Sequence, residues 1–488
     1  MSGFMDIITA GNLTYKQKVL HLAQAAENSE HPLKTTKEFD RLFAAHAIDD
    51  MCEGNAPYRP RYIAPDYQLF AEQGSDFLRL DAPKDLDDLL WGLAMLYDNV
   101  PSVTSRPVYV GQLDRIIEPF IANLDDESVM DRLARFLDYV DRGYCHANIG
   151  PEYTRAGELL LRVEQRLQNA VPNFTLKYDP AITPDGYARL ALETTMLCSN
   201  PAFANDRIHR ETYPDDYTVV SCYNVLPLRG GAYCLDRILL PHLAELATDV
   251  DDFMDNLIPE ATGALLEFMN ERVRFIVERS HFFESSFLVR EGLIERERFC
   301  GMFGVAGMSE CVERLLSPGG NHVYGTDPEA NALAERIMER ICSQVAGFDA
   351  VYSEVAGGHF LMHAQAGFSD QKGVTPGVRI RVGEEPESLF DHIRMQARMH
   401  RFFNTGVSDI FPIEPTAKGN PDALLDVVKG AFALDDKYLS FYSSDSDLVR
   451  ITGFLAKRSE TERFQGGGAV LQDTAHDGLG NYTANHLA

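Results

Sequence analysis

The sequence predicts an α/β protein, and two observations support that class. Long segments with apolar residues at helical spacing alternate with shorter runs of β-branched and aromatic residues. Strands distributed among long helices in this way are typical of an α/β fold. With 488 residues, of which 45% are hydrophobic and 10% aromatic, the chain is long enough for a large buried core.

The charge and the cysteines narrow the function classes. There are 45 basic and 73 acidic residues, a net charge of −28, which disfavours binding to nucleic acid or to an anionic membrane. The first residues do not resemble a secretory signal, and no apolar run is long enough to span a bilayer, so a cytoplasmic protein is expected. The eight cysteines include no CxxC pair and no zinc-like spacing, so we expect buried thiols and no metal site.

In chain order, periodicity and capping residues place the elements. Helices are predicted at about 14–27, 36–53, 83–97, 126–142, 152–170, 183–198, 235–248, 250–279, 308–316, 326–345, 386–402 and 421–434. Strands are predicted within 101–112 and at 217–222, 358–365, 377–382 and 437–443, followed by a hairpin around Gly453.

Two polar segments, 101–112 and 145–151, lie between predicted helices. Each is compatible with a loop that satisfies its own backbone. Each is also compatible with side chains that point into a binding cavity, namely those of Ser105, Arg106, His146 and Asn148. Both interpretations remain open from the residues alone.

Near the C-terminus, Gly453 lies in a run of β-branched and apolar residues, Leu448 to Leu455. The simplest interpretation is a turn glycine with positive φ. A second follows from the Cα–H bond, because a glycine Cα radical is delocalised over the adjacent amide nitrogen and carbonyl. With no Cβ, the centre can also become planar without a clash. For a stored radical to act on a substrate, a second residue has to carry it there, and a cysteine thiol is one group that can.

Two cysteines are candidates for that role. Cys311 begins the triplet Cys311-Val312-Glu313, but its surroundings have helical spacing, so a helix residue is predicted. Cys222 ends a strand of β-branched residues and begins a loop with a proline and the pair Gly230-Gly231. That arrangement projects one side chain from the end of a buried strand, so Cys222 is the preferred candidate.

These segments resemble the glycyl radical enzymes. Arg450-Ile451-Thr452-Gly453-Phe454 is similar to the Arg-Val-Ser/Thr-Gly-Tyr/Phe signature of that superfamily. The region from Cys222 to Ala244 is similar to the cysteine loop of anaerobic, class III ribonucleotide reductases. The segment 303–310 is similar to the Gly-Met/Leu-Asn-Glu helix start of the same enzymes. The resemblance to YjjI-type enzymes extends over nearly the whole chain and is carried by the following segments: 101–105, 146–151, 220–224, 280–284, 375–377 and 450–454.

The resemblance implies a fold and a mechanism. The fold is a ten-stranded α/β barrel of two five-stranded halves surrounded by helices, in which the cysteine and glycine hairpins meet. A separate radical S-adenosylmethionine activase with an iron–sulfur cluster would install the radical at Gly453, and no cofactor would be bound permanently. The radical would pass to Cys222, whose thiyl takes hydrogen from a small-molecule substrate. Homodimers are common in the superfamily, so a homodimer is one expected assembly.

The residues around Cys222 restrict the reaction. Ser221 and Tyr223 flank it, which disfavours the two-cysteine chemistry of formate lyases, and Asn224 stands where dehydratases carry a glutamate. Glu284 and Glu354 are candidate substitutes for that base. We expect a radical reaction on a small polar substrate, of which a sugar- or nucleoside-like polyol is one form. The alternatives are chemistry like that of a ribonucleotide reductase, dehydratase or lyase, and a non-catalytic binding protein.

The expected substrate contacts are polar residues within otherwise apolar segments: Arg106, His146, Asn148, Glu284, His363 and Gln365. The expected organisation is an N-terminal helical region at 1–100 and a barrel at 101–435, with the cysteine loop at 221–231. A glycyl radical hairpin at 436–465 and a flexible tail at 466–488 follow.

Overall fold

A computed structural model of the protein describes residues 4–51, 53–102, 107–214, 216–220, 223–364, 374–443, 445–450 and 453–477. Its helices are α1 (Phe4–Thr9), α2 (Tyr15–Glu27), α3 (Lys37–Ala44), α4 (Tyr67–Gln73), α5 (Leu86–Asn99), α6 (Leu113–Ile117), α7 (Asp126–Val140), α8 (Arg155–Leu167), α9 (Asp185–Cys198), α10 (Asp206–Thr212), α11 (Leu240–Ala244), α12 (Val250–Asp252), α13 (Ile258–Arg274), α14 (Phe282–Ser285), α15 (Phe287–Arg290), α16 (Met308–Leu316), α17 (Pro328–Ala346), α18 (Leu389–His400), α19 (Pro421–Ala433), α20 (Arg458–Gln465) and α21 (Asp473–Asp477).

Side-chain caps explain why several helices begin where the sequence predicts. Thr14 and Gln17 form a reciprocal capping box at the start of α2. Asp327 accepts hydrogen bonds from the backbone of Glu329 and Ala330, which fixes the first turn of α17. Helices α12 and α13 form one continuous helical run with two π-type turns, Phe253–Leu257 and Phe275–Arg279, so the predicted helix at 250–279 is confirmed.

Two larger sheets form the centre of the fold. The strands are β1 (Ile48–Asp49), β2 (Tyr62–Ala64), β3 (Tyr109–Gln112), β4 (His146–Ile149), β5 (Asn173–Tyr178), β6 (Ala202–Asn205), β7 (Tyr217–Val220), β8 (Asn224–Pro227), β9 (Gly230–Leu239), β10 (Phe299–Ala306), β11 (Leu361–His363), β12 (Asp409–Ile413), β13 (Tyr438–Ser443), β14 (Leu448–Arg450) and β15 (Leu455–Lys457). The six-stranded sheet has the order β12-β13-β6-β5-β4-β3, and the five-stranded sheet has β1-β9-β10-β11 with β2 also on β9. Two hairpins, β7–β8 and β14–β15, are separate from both sheets.

The observed class is mixed α/β, as predicted, and a closed ten-stranded barrel is not shown. Among the described residues the strands form two open sheets rather than one closed ten-stranded barrel. No ladder there joins β3 or β12 to the five-stranded sheet, and β1 and β2 pair antiparallel along one side of β9. The region 1–100, predicted to be helical, thus also contributes two strands.

The six-stranded sheet has one apolar and one partly polar face, because successive side chains of a strand point to opposite sides. In β5, Phe174 and Leu176 join the main hydrophobic core. The alternate residues Asn173, Thr175 and Lys177 point to the other side, where they bind Gly453, Tyr438 and Tyr217. The hairpin β7–β8 therefore packs against the polar face of this sheet.

Several predicted segments differ from the structure, among them the helix predicted at 36–53, which ends at Ala44 and is followed by β1. The helix predicted at 235–248 is the long strand β9 followed by α11, and 377–382 contains no strand. Residues 466–477, assigned to a flexible tail, include α21 and several buried side chains. The amide of Gln17 there donates to the carbonyl of Val470 at 3.2 Å and to Asp473 at 3.0 Å, which holds this segment against α2.

Within the part of the chain that the structure describes, no helix has the length and apolar composition that crossing a membrane requires.

Candidate functional site

The hairpin β7–β8 carries the predicted cysteine loop. Its strands pair antiparallel up to Val220 and Asn224, so residues 221–223 connect them. Tyr223 has φ of +66°, the left-handed conformation that lets the chain reverse direction. Cys222, the middle residue of this connection, lies outside the described residues.

Two side chains from the six-stranded sheet hold this hairpin. The amide of Asn148 on β4 donates to the carbonyl of Val219 at 3.0 Å and accepts from its N–H at 2.9 Å. Lys177 on β5 donates to the carbonyl of Tyr217 at 2.6 Å. Asn148, predicted as a substrate contact, thus binds the strand that leads to Cys222. Its geometry is suited to positioning the hairpin.

The second hairpin, β14–β15, carries Gly453. Arg450 and Leu455 are its last paired residues, and Gly453 is buried in the connection between the strands. The carbonyl of Gly453 accepts a hydrogen bond from the side-chain amide of Asn173 at 3.0 Å. Next to it, the ring of Phe454 packs edge-on against Tyr144 with 5.1 Å between ring centroids. Both contacts fix the backbone around Gly453.

Arg450 joins the two hairpins. Its fully buried guanidinium donates to the hydroxyl of Tyr223 at 2.7 Å, to Asn173 Oδ1 at 3.4 Å and to the carbonyl of Ser199. Tyr223 in turn donates to Ser440 at 3.1 Å. Because Tyr223 follows Cys222 directly in the chain, this network connects the cysteine loop to the glycine hairpin.

His146, predicted as a binding residue, lies at the same place. It is the first residue of β4, it is 1% exposed, and its ring stacks near Tyr223 with 6.3 Å between centroids. Neither ring nitrogen makes a hydrogen bond of standard geometry among the described residues, although the backbone of Val220 interacts with the ring. Burial, with the nearby positive charge of Arg450, lowers the pKa of His146 to about 3. The imidazole is therefore neutral near pH 7 and offers one donor and one acceptor.

The other predicted site residues are more dispersed. His363 is buried at the end of β11, where its Nδ1 accepts from the N–H of Gly406 at 2.9 Å. Glu284 is exposed on α14, and Glu354 is exposed and ion-paired with Arg296. The competing cysteine, Cys311, is buried within α16, as the spacing predicts. Arg106, Ser105 and Gln365 lie outside the described residues.

Two residues of the network were not predicted as site residues. Asn173 belongs to a strand that the sequence reading does not identify, and Tyr223 appeared only as a neighbour of Cys222. One signal was present for Asn173, because residues 173–177 alternate polar and apolar side chains between two helices. Alternation of this kind marks a strand with one polar face, which here is the face that meets both hairpins.

One group of metal-ligand types occurs elsewhere among the described residues, where Glu53, Cys234 and Asp236 bring potential ligand atoms within 4.8 Å of one another. Two buried arginines surround this cluster. Arg272 lies 3.5 Å from both carboxylates and Arg61 lies 3.3 Å from Glu53. These positive charges balance the carboxylates, so the geometry is that of a buried ion-pair cluster.

Glu164 lies beside the segment Ser199-Asn200, which binds Arg450, and its buried carboxyl predicts a pH dependence of stability. Its carboxyl is fully buried beside Asn200, whose amide donates to it at 3.3 Å, and burial raises the pKa of Glu164 from 4.5 to about 8. The folded protein therefore keeps a proton that the unfolded chain releases above pH 4.5. The free energy of unfolding should fall between pH 4.5 and about 8, by roughly 1.4 kcal/mol per pH unit at most.

Urea unfolding of Glu164→Gln at several pH values checks this expectation. The neutral amide cannot ionise, so the variant should show a shallower pH dependence and a higher midpoint than the wild type above pH 8. Glu127→Gln, at an exposed position on α7, serves as the control and should follow the wild type. Parallel profiles for the wild type and Glu164→Gln would contradict the assignment.

Comparison of the sequence with known proteins identifies a family. The family described as "Glycyl radical enzyme YjjI-like" matches residues 13–488. An uncharacterised protein of Haemophilus influenzae is 40% identical over 491 residues, covering 98% of this chain and 95% of the relative.

Two solved structures are similar in fold. The anaerobic ribonucleotide reductase from Thermotoga maritima, in complex with dATP and CTP, has a TM-score of 0.67 at 12% identity, covering 91% of this chain and 89% of that one. The glycerol-bound B12-independent glycerol dehydratase from Clostridium butyricum has a TM-score of 0.68 at 11% identity, covering 92% and 82%. The match over residues 13–488 and the 40% identical relative confirm the resemblance seen in the sequence. The chain belongs to the YjjI-like family of glycyl radical enzymes.

Proposed function

We propose that the protein is an oxygen-sensitive enzyme that stores a radical at Gly453 and passes it to Cys222. The thiyl radical of Cys222 then removes a hydrogen atom from a small polar substrate. Family membership supports the glycine as the site of storage. The contact that carries the proposal for this chain is the hydrogen bond of 2.7 Å between Arg450 and Tyr223.

The contact between Arg450 and Tyr223 restricts how far Cys222 can lie from Gly453. Tyr223 follows Cys222, and consecutive Cα atoms are about 3.8 Å apart. On the other side, Asn173 contacts both Arg450 and the carbonyl of Gly453. A hydrogen atom can be exchanged between two groups only near van der Waals contact, and a buried network of this kind supplies the rigidity that such a transfer needs.

The proposed steps balance in atoms and electrons. A separate activase would transfer an electron from its iron–sulfur cluster to S-adenosylmethionine, which breaks the C5′–S bond and releases methionine. The resulting 5′-deoxyadenosyl radical takes one hydrogen atom from the Cα of Gly453 and leaves as 5′-deoxyadenosine. The Gly453 radical takes the hydrogen atom of the Cys222 thiol, which restores glycine and leaves a thiyl. The thiyl takes a hydrogen atom from a C–H bond of the substrate. After the substrate radical has reacted, the product radical takes that hydrogen atom back from the Cys222 thiol. The Cys222 thiyl then takes the α-hydrogen of Gly453, which restores the stored radical.

The buried polar groups beside the hairpins favour a hydroxylated substrate. The neutral imidazole of His146 can accept from one hydroxyl and donate to another group, and it is placed beside Tyr223. We propose that His146 contacts the substrate, with His363, Arg106 and Gln365 as further contacts and Glu284 at the periphery. A polyol such as a sugar or nucleoside fits these groups. The two larger sheets would be the two halves of the enclosing barrel.

Anaerobic electron paramagnetic resonance tests the proposal. The protein is incubated with its activase, S-adenosylmethionine and a reductant, and the spectrum is recorded. We expect a doublet, because the one hydrogen that remains on Cα splits the signal. Exposure to air should then cleave the chain at Gly453, which mass spectrometry detects as two fragments. No doublet from an activase that is competent on another substrate protein would overturn the proposal.

Arg450→Lys tests the network between the hairpins. Lysine keeps the charge but cannot hold Tyr223, Asn173 and Ser199 at once, because it is a single donor group rather than a planar fork. We expect turnover per Gly453 radical to fall by about 100-fold, which is the effect of a misplacement of about 1 Å. Arg189→Lys, at an exposed ion pair, is the control. Unchanged turnover in Arg450→Lys would contradict a positioning role.

A further inference from the structure

Asn173 lies between the two groups that matter most in this site. It is 3% exposed, at the first position of β5, and its side chain contacts Arg450 and the carbonyl of Gly453. The backbone of Gly453 therefore has a hydrogen-bond donor that comes from the sheet and not from its own hairpin.

The partners determine which way the amide of Asn173 points. Arginine can only donate hydrogen bonds, so the oxygen of the amide must face Arg450. A carbonyl can only accept, so the nitrogen must face Gly453. Both requirements are met by one orientation, in which the amide nitrogen lies 3.0 Å from the Gly453 oxygen. Arg450 thus fixes Asn173 as a donor.

We propose that Asn173 is a positioning residue that stabilises the radical at Gly453, an inference that rests on the proposed function. In a glycine Cα radical, electron density shifts from the adjacent amide nitrogen toward the carbonyl oxygen. A donor at that oxygen favours the shifted form and so lowers the energy of the radical. It also keeps the carbonyl coplanar with Cα, which the delocalisation requires. A buried hydrogen bond is stronger than an exposed one, because water does not compete for the oxygen.

None of the other contacts that the described residues make around Gly453 replaces this donor. Phe454 and Tyr144 contact each other through their rings, and Arg450 reaches the Gly453 carbonyl only through Asn173 in the described network. The effect should therefore depend on the amide N–H of Asn173. A neighbouring residue that only supported the fold would not influence the spectrum of the radical.

The test compares Asn173→Asp with the wild type after activation. Aspartate has nearly the same shape, but its carboxylate beside Arg450 cannot donate to the Gly453 carbonyl. We expect the radical to decay about tenfold faster, which corresponds to the loss of one buried hydrogen bond. Asn205→Asp is the matched control. Asn205 is also buried on the six-stranded sheet, and its amide donates to the backbone carbonyls of Phe432 and Asp436. Because these carbonyls are not that of Gly453, the Gly453 radical in Asn205→Asp should decay at the wild-type rate.

Electron–nuclear double resonance of the wild type gives a readout that needs no variant. The Asn173 proton should lie about 2 Å from the Gly453 oxygen. It should therefore produce a coupling that disappears in deuterated water, and that coupling should be missing in Asn173→Asp. A doublet without an exchangeable coupling, or equal decay in Asn173→Asp and wild type, overturns this inference and leaves the proposed function intact. Absence of any doublet in the wild type overturns both.

Discussion

Alanine at position 453 is expected to abolish the radical signal completely. Gly453 is buried, its carbonyl is held by Asn173, and its neighbour Phe454 packs against Tyr144. A methyl group on Cα prevents the centre from becoming planar in this rigid setting. It also removes the α-hydrogen that splits the signal in the stored radical. Electron paramagnetic resonance after activation should therefore show no doublet in Gly453→Ala, and air should no longer cleave the chain.

The control for this prediction is another glycine to alanine change. Gly430 is exposed on α19, and a Cβ built there meets no atom within 4 Å. Gly430→Ala should keep the full doublet and gain up to about 1 kcal/mol of stability, because alanine is the better helix former. A doublet of normal intensity in Gly453→Ala would mean that the radical is stored elsewhere, and the proposed function would be wrong.

The sequence predicts the helices better than the strands, and the reason is physical. A helix on the surface of an α/β fold keeps a polar side, so its period is visible; α16 (Met308–Leu316) coincides with the predicted 308–316. Strand β9 is buried along its whole length from Gly230 to Leu239. Such a strand has no alternation of polar and apolar residues to separate it from a helix, which is why the sequence predicts a helix at 235–248.

The candidate site likewise combines local patterns, which the sequence reveals, with long-range contacts, which it does not. The Arg450-to-Phe454 signature and the strand before Cys222 are local patterns, so the glycine hairpin and that strand can be predicted from the sequence. The contact between them is not local. Arg450 and Tyr223 are 227 residues apart, and Asn173 and Gly453 are 280 apart. These pairs meet only because the polar face of the six-stranded sheet brings both hairpins together, and a strand order is not readable from residue patterns.

Replacing Cys222 with serine should separate storage of the radical from its use. In the proposed mechanism the activase acts on Gly453 and not on the thiol, so Cys222→Ser should give the wild-type doublet. An O–H bond is much stronger than an S–H bond, so serine cannot give a hydrogen atom to the Gly453 radical. Product formation should fall below detection in a panel of polyols and ribonucleotides in which the wild type forms product, measured by mass spectrometry.

Cys311→Ala is the matched control, because Cys311 is the cysteine that competes for the same role in the sequence. Its thiol is buried in α16, and burial raises its pKa well above the usual range, as expected of a structural thiol. Cys311→Ala should keep turnover. The opposite result, with turnover lost in Cys311→Ala and kept in Cys222→Ser, would mean that the thiyl radical forms at Cys311 and not at Cys222.

Disulfide formation between positions 222 and 453 reports the distance between the cysteine loop and the glycine hairpin. It requires neither substrate nor activase. A disulfide forms when two cysteine Cα atoms are about 4.4–6.8 Å apart, which is also the range in which a thiol reaches a neighbouring Cα. Gly453→Cys should therefore form a disulfide with Cys222 on oxidation, and the two peptides should appear linked in the mass spectrum. The link should be absent when Cys222→Ser is added. If no link forms although the variant is folded, the two loops are too far apart for direct transfer of hydrogen. The contact between Arg450 and Tyr223 would then hold the hairpins together without connecting their chemistry.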